Sequence, residues 1–110
     1  MEELKKNAEE FLEAGEENLS KKRYNVASSD FFKAIVIFAD YLLYTEIKIL
    51  PKSHNQRFSL LKTHYPEVYQ NISSLFEIYT KSYNFHINET ETTKIKEYAY
   101  ELKTYITSKK

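Results

Sequence analysis

The chain has 110 residues, a formal net charge of zero and no cysteine. This length suits one hydrophobic core, and we therefore predict a single domain over residues 1–110. The absence of cysteine excludes a disulfide framework, a thiolate zinc site and a cysteine nucleophile, while the zero net charge argues against a dedicated DNA-binding domain.

Two long helices are predicted in the first half of the chain. Apolar residues recur at helical spacing from Leu4 to Leu19, with glutamates on the other face, which predicts a first helix that ends at the segment SKKRYN. A second helix is predicted over residues 24–50, where Pro51 stops it. This helix is apolar on nearly every face, a pattern typical of a central helix or of one covered by a partner chain.

Three further helices follow in the second half. Ser53 and Gln56 fit a capping box, which predicts a short third helix ending near the segment HYP. Pro66 suits the first turn of a fourth helix, because its missing N–H costs nothing there. Asn88 or Thr90 is expected to cap the fifth helix. The fold class is therefore predicted to be all-α, an antiparallel helical bundle of four long helices plus one short helix.

The apolar segments also bear on location and assembly. The longest apolar run, AIVIFADYLLY, contains Asp40 and is too short to span a bilayer. The N-terminal segment is acidic and amphipathic, unlike a signal peptide, so we expect a cytoplasmic protein that does not contact membranes. An apolar surface as large as that of the second helix is a liability if exposed, and it predicts a homodimer that buries part of helix two or helix four.

The segment KSHNQRFSLLKTHYP, residues 52–66, concentrates basic residues and contains no acid. Arg57 and His64 lie seven positions apart, which places them on one face of a helix. Arginine can hold a phosphate with two hydrogen bonds and histidine can transfer protons, so this pair is the candidate catalytic site. We expect Phe58 and Leu61 to face the core and Arg57 and His64 to lie on the partly exposed side.

The same segment is the candidate contact surface for RNA or a nucleotide. Weak and salt-sensitive binding is expected, because phosphate contacts release counterions. The predicted contact residues are Lys52, His54, Arg57 and Lys62. The three histidines have no carboxylate pattern around them, and Gly15 is the only glycine, so neither a metal site nor a phosphate loop nor any other cofactor site is predicted.

Part of the first hairpin has the pattern of a tetratricopeptide repeat, a module that binds other proteins. Small residues such as Ala14 and Gly15 allow two antiparallel helices to approach closely. The pattern does not recur at the period that a solenoid requires, which also fits an ordinary tight helical hairpin. The residues that match the repeat are Phe11, Ala14, Gly15, Ala27, Phe31 and Ala34.

Most of the chain resembles the HEPN domain family of small helical bundles. Residues 8–43, AEEFLEAGEENLSKKRYNVASSDFFKAIVIFADYLL, are similar to the opening hairpin of that family. PKSH resembles the Pro-x-x-His that follows the central helix in many members, and LFEIYTKSYN resembles a later segment. The resemblance implies a helical bundle that often dimerises, often accompanies a nucleotidyltransferase in toxin–antitoxin pairs, and in many cases cleaves RNA.

The ribonuclease members share an Arg followed after a short gap by His. Arg57 and His64, with six residues between them, satisfy this spacing. The family motif usually lies later, where this chain has Lys81 and His86, so the motif is degenerate or displaced. We therefore predict an accessory or regulatory domain that binds a nucleotide, RNA or a partner protein. A tetratricopeptide-like interaction module and a metal-independent ribonuclease are the alternatives.

Overall fold

The computed structural model describes residues 2–109, and over this range it is an all-α bundle of five helices without a strand. The predicted fold class is thereby confirmed. None of these helices is long and apolar enough to cross a membrane. The helices are α1 (Glu2–Ser20), α2 (Tyr24–Ile47), α3 (His54–His64), α4 (Pro66–Lys81) and α5 (Glu89–Ser108).

Helix α2 lies at the centre of the bundle and contacts each of the other four helices, most extensively α1 and α5. Burial of apolar side chains from this one helix on several sides is the main stabilising contribution to the fold. This position confirms the prediction, made from apolar residues on nearly every face of the helix, that it is central in the fold. The buried residues of α2 are Ala27, Ser28, Phe31, Phe32, Ala34, Ile35, Phe38, Ala39, Asp40, Tyr41, Leu42 and Leu43.

Helix α1 approaches α2 closely at Gly15. A Cβ atom at this position would lie 2.7 Å from the Phe31 ring, which is itself fully buried. Ala8 and Ala27 are also fully buried on this pair of helices. Small residues therefore let the two helices pack at short distance, as the hairpin pattern in the sequence predicted.

Polar side chains attach α2 to the second half of the chain. The hydroxyls of Ser28 and Thr92 are buried and lie 2.9 Å apart, which joins α2 to α5. Asn25 donates to the carbonyls of Ser82 and Phe85 and accepts from the backbone N–H of Ile87. One side chain thus fixes the loop between α4 and α5 against the start of α2.

The prediction that α2 extends to residue 50 was wrong by three residues. The helix ends at Ile47, because Lys48 adopts a left-handed conformation with φ of 61° and donates its N–H to the carbonyl of Tyr44. Ile49 and Leu50, which would have continued the apolar pattern, lie in the following loop with 37% and 39% of their surface exposed. The chain thus leaves the helix one turn before Pro51.

The predicted starts of the last three helices are confirmed. Ser53 accepts a hydrogen bond from the N–H of Gln56, whose own side chain accepts from the N–H of Lys52. Pro66 is in the first turn of α4, and Asn88 and Glu91 form a complete capping box at α5. These caps satisfy backbone N–H groups that a helix leaves free at its first turn.

We predict that Phe38→Ala destabilises the protein by roughly 3–5 kcal/mol, because it leaves a cavity at a fully buried position of α2. Phe85→Ala is the matched control, since it removes the same atoms from a side chain that is 66% exposed, and we expect a change of no more than about 0.5 kcal/mol. Urea unfolding followed by circular dichroism measures both. Similar losses for the two variants would contradict the central position of α2.

Candidate functional site

Arg57 forms a bidentate ion pair with Asp40 of α2. Its Nε donates to Asp40 Oδ1 at 2.6 Å and its Nη2 donates to Oδ2 at 2.9 Å. Each of the two side chains is only 11% exposed. Arg57 was expected on the partly exposed side of α3, and it is of intermediate burial. Its guanidinium turns inward, because it neutralises the carboxylate that the apolar helix α2 carries.

His54 is the third member of this polar cluster. Arg57 Nη1 lies 2.9 Å from His54 Nδ1, and arginine can only donate, so Nδ1 is the acceptor. In the neutral ring, the proton is consequently on Nε2. The imidazole also stacks against the Phe58 ring, with 6.3 Å between the ring centroids. Asp40, Arg57 and His54 thus form a chain of charge-assisted hydrogen bonds from α2 to the start of α3.

His64 lies at the other end of α3, exposed, beside a separate cavity between α3, α4 and α5. Two helical turns separate it from Arg57, about 10 Å along the axis. The structure therefore does not bring together the two residues predicted as a catalytic pair. Of the later candidates, the Lys81 ammonium binds Glu91 Oε2 at 2.7 Å, and His86 is exposed in the following loop.

The remaining predicted contact residues lie on the outer side of the α3 segment. Lys52 and Lys62 are exposed, and Lys62 Nζ lies 5.8 Å from the centroid of the Tyr69 ring. Leu61 is fully buried and Phe58 packs against the core, as predicted. The basic surface of α3 therefore consists of lysines and histidines, while its one guanidinium is already paired.

His54 also lines an open groove, which we call the α2 groove. The groove has a volume of about 500 Å³ and lies between α1 and α4, with α2 as its floor. It is lined mainly by apolar and aromatic side chains. Among the described residues that line it, Lys33 is the only lysine, arginine, aspartate or glutamate. The lining residues are Phe11, Phe32, Lys33, Val36, Ile37, His54, Phe76, Tyr79, Thr80 and Tyr83.

The wall of the groove is an ordered aromatic cluster. The rings of Phe32 and Tyr79 stack with their centroids 4.7 Å apart, and Phe76 packs against both. The hydroxyls of Tyr79 and Tyr83 lie 3.0 Å apart, and this hydrogen bond, together with burial, raises the pKa of Tyr79. Because the rings hold each other in place, the groove is preformed for a ligand or a partner.

Asp40 is the site residue that the sequence analysis did not assign. It is the only acid in the apolar run AIVIFADYLLY, where its charge also argues against a membrane span. Charged residues in a buried helix are almost always paired. A search for a cation that could reach this carboxylate would therefore have suggested Arg57, the only arginine in the basic segment.

The fold and the groove together define a small all-α bundle without a group of metal-ligating side chains among residues 2–109. The model of the HEPN domain matches residues 1–108, and the chain belongs to the HEPN domain family. The match includes the α1–α2 hairpin that also suggested a tetratricopeptide-like module. Comparisons with curated proteins and with solved structures give no match.

We predict that Arg57→Met destabilises the fold by roughly 3 kcal/mol, because it leaves the Asp40 carboxylate buried and unpaired. Adding Asp40→Leu should restore part of this loss, since the double variant buries no uncompensated charge. The control is Lys21→Met, which breaks an exposed ion pair with Glu17 and should cost about 0.5 kcal/mol or less. Thermal and urea unfolding measure the double-mutant cycle, and an Arg57→Met loss as small as that of the control would contradict a structural ion pair.

Proposed function

We propose that this HEPN domain is a binding module without catalysis of its own, and that a second copy of the chain covers its α2 groove in a two-fold homodimer. The observation that carries the proposal is the open face of α2. Val36 and Ile37 of the central helix are only half-buried by the chain itself, between walls of aromatic side chains. Interface centres are typically depleted in charge and enriched in aromatic residues, as this groove is.

A second copy fits this surface because a ridge and a groove lie on the same face. Tyr83 is 71% exposed at the edge of the groove and is held by its hydrogen bond to Tyr79. A two-fold contact is self-complementary. The Tyr83 ring of one copy can therefore enter the groove of the other copy, while the Tyr83 ring of the second copy enters the groove of the first. Frequent dimerisation among HEPN domains supports the same arrangement.

The Arg57–Asp40 pair supports a role in binding rather than catalysis. A guanidinium that already holds a carboxylate with two hydrogen bonds offers no equivalent pair of donors to a phosphate. A metal-independent ribonuclease that used Arg57 and His64 would have to break this partly buried pair first. We therefore prefer an accessory or regulatory role, and a nucleotidyltransferase partner in a toxin–antitoxin pair is the heterologous occupant that the family suggests.

A second candidate function is the binding of RNA or a nucleotide on the outer face of the α3 segment. The observation in its favour is that residues 52–66 contain no acid, while Lys52, His54 and Lys62 are exposed there. Lysines contact phosphates as point charges, which gives weak binding that depends on salt. This surface adjoins the groove at His54, so the two functions are compatible.

We predict that Ile37→Glu converts a dimer into a monomer, because it places a charge at the centre of the apolar interface. The matched control is Ile49→Glu, which introduces the same charge at an exposed loop residue outside the groove and should leave the dimer intact. Light scattering at high micromolar concentration measures the mass, and circular dichroism confirms that both variants are folded. A parent protein that is monomeric at this concentration would overturn the proposed dimer.

For the second candidate, we predict salt-sensitive binding of single-stranded RNA that the double variant Lys52→Ala/Lys62→Ala weakens. The slope of log affinity against log salt should fall by about 0.7 for each lost phosphate contact. Lys94→Ala, an exposed lysine on α5, is the control. An unchanged slope would exclude this surface. RNA cleavage that both Arg57→Ala and His64→Ala abolish, while circular dichroism shows that both variants are folded, would establish a nuclease instead.

A further inference from the structure

The cavity beside His64 has a chemistry unlike that of the groove. Its volume is about 360 Å³, which is within the range of small-molecule sites, and it shares no lining residue with the α2 groove. Three tyrosines line it, Tyr65 from the connection between α3 and α4 and Tyr98 and Tyr105 from α5. We call it the tyrosine cavity.

Two carboxylates give this cavity a negative potential. Glu67 from α4 and Glu101 from α5 are both exposed and both contribute to its lining, and neither forms an ion pair within residues 2–109. Burial, as the largest cause, raises the pKa of Tyr98 to about 12, and the charges of Glu101 and Glu67 act in the same direction. A phosphate or another anion is therefore disfavoured here, in contrast to the lysine surface of α3.

One tyrosine of the cavity already binds an ammonium group from the chain itself. Lys109 Nζ lies 5.0 Å from the centroid of the Tyr105 ring, a distance at which a cation is attracted to an aromatic face. The same ammonium lies 3.5 Å from Glu46, whose carboxylate also accepts a hydrogen bond from the Tyr65 hydroxyl. One aromatic ring and one carboxylate thus hold a cation at the edge of this cavity.

From these observations we propose that the tyrosine cavity is a binding site for an alkylammonium group. The aromatic faces attract the charge and the methyl or methylene groups around it, and the carboxylates of Glu67 and Glu101 balance it. Aromatic rings that surround a cation are a general solution for recognising substituted ammonium ions in water. A divalent metal is the wrong ligand, because residues 2–109 contain no cluster of three or more metal-ligating side chains.

The test is a titration of protein with labelled tyrosine rings, followed by NMR, using choline and its neutral carbon isostere 3,3-dimethylbutan-1-ol. We expect choline to shift the Tyr98 and Tyr105 ring signals in a saturable way and to bind about tenfold or more tightly than the isostere, since only choline carries the charge. Equal shifts by the two compounds, or no saturable shift, would overturn the proposal.

The variant arm is Glu67→Gln/Glu101→Gln, which keeps the shape of the cavity and removes its charge. Both residues are exposed, so the fold should persist, and choline affinity should fall about tenfold. Glu97→Gln, another exposed acid of α5 outside the cavity, should leave the affinity unchanged. Equal affinities in all three proteins would contradict the role of the two carboxylates.

Two further probes distinguish the sources of such a group. Tighter binding of 1,4-diaminobutane than of N-acetyl-lysine methylamide would assign the cavity to a free amine. The reverse order would assign it to a lysine side chain of a partner protein. Either order of affinities supports an alkylammonium site. If neither of these compounds nor choline binds, the proposed site is wrong.

Discussion

The structure depends on the need to cover α2, a long helix that is apolar on almost all sides. Each of the neighbouring helices packs against α2 through a different kind of contact. Helix α1 comes close because Gly15 leaves room for the Phe31 ring, and α5 is fixed by the buried hydroxyl pair of Ser28 and Thr92. Helix α4 contributes the aromatic wall around Phe76. The strip of α2 that no helix covers is the floor of the groove, so the proposed interface is a direct consequence of the same constraint.

The pair of Asp40 and Arg57 shows how one polar interaction links fold and function. A carboxylate on the central helix needs a partner, and the guanidinium that serves it attaches α3 to α2. The same contact removes Arg57 from the surface where it could hold a phosphate. Stability and catalysis would therefore compete for one side chain, and this competition is the reason why a binding role is the better hypothesis for this member of the family.

Local signals in the sequence were enough to predict the helices and their starts. Helical spacing identified all five elements, and the caps at Ser53 and Asn88 depend on side chains within three residues of each other. The end of α2 was missed because Ile49 and Leu50 continue the apolar pattern, while the turn is made by Lys48 in a conformation that its side chain does not specify.

The candidate sites were harder to predict, since they depend on contacts between distant residues. Helical periodicity placed Arg57 and His64 on one face, but it could not show that Asp40, seventeen positions before Arg57, would turn the guanidinium inward. The tyrosine cavity combines Tyr65 with two tyrosines of α5, and nothing in their local sequence relates Tyr65 to them. Periodicity describes one helix at a time, whereas both sites are formed where several helices meet.

The most direct measurement of the central proposal is an isotope-filtered NOE experiment on a mixture of labelled and unlabelled chains. It detects only contacts between protons of different copies, and it requires no substitution in the interface. A two-fold dimer through the α2 groove predicts intermolecular NOEs from the methyl groups of Val36 and Ile37 to aromatic protons of the partner. Intermolecular NOEs confined to exposed apolar residues outside the groove, such as Val26 and Leu50, or none at all, would contradict it.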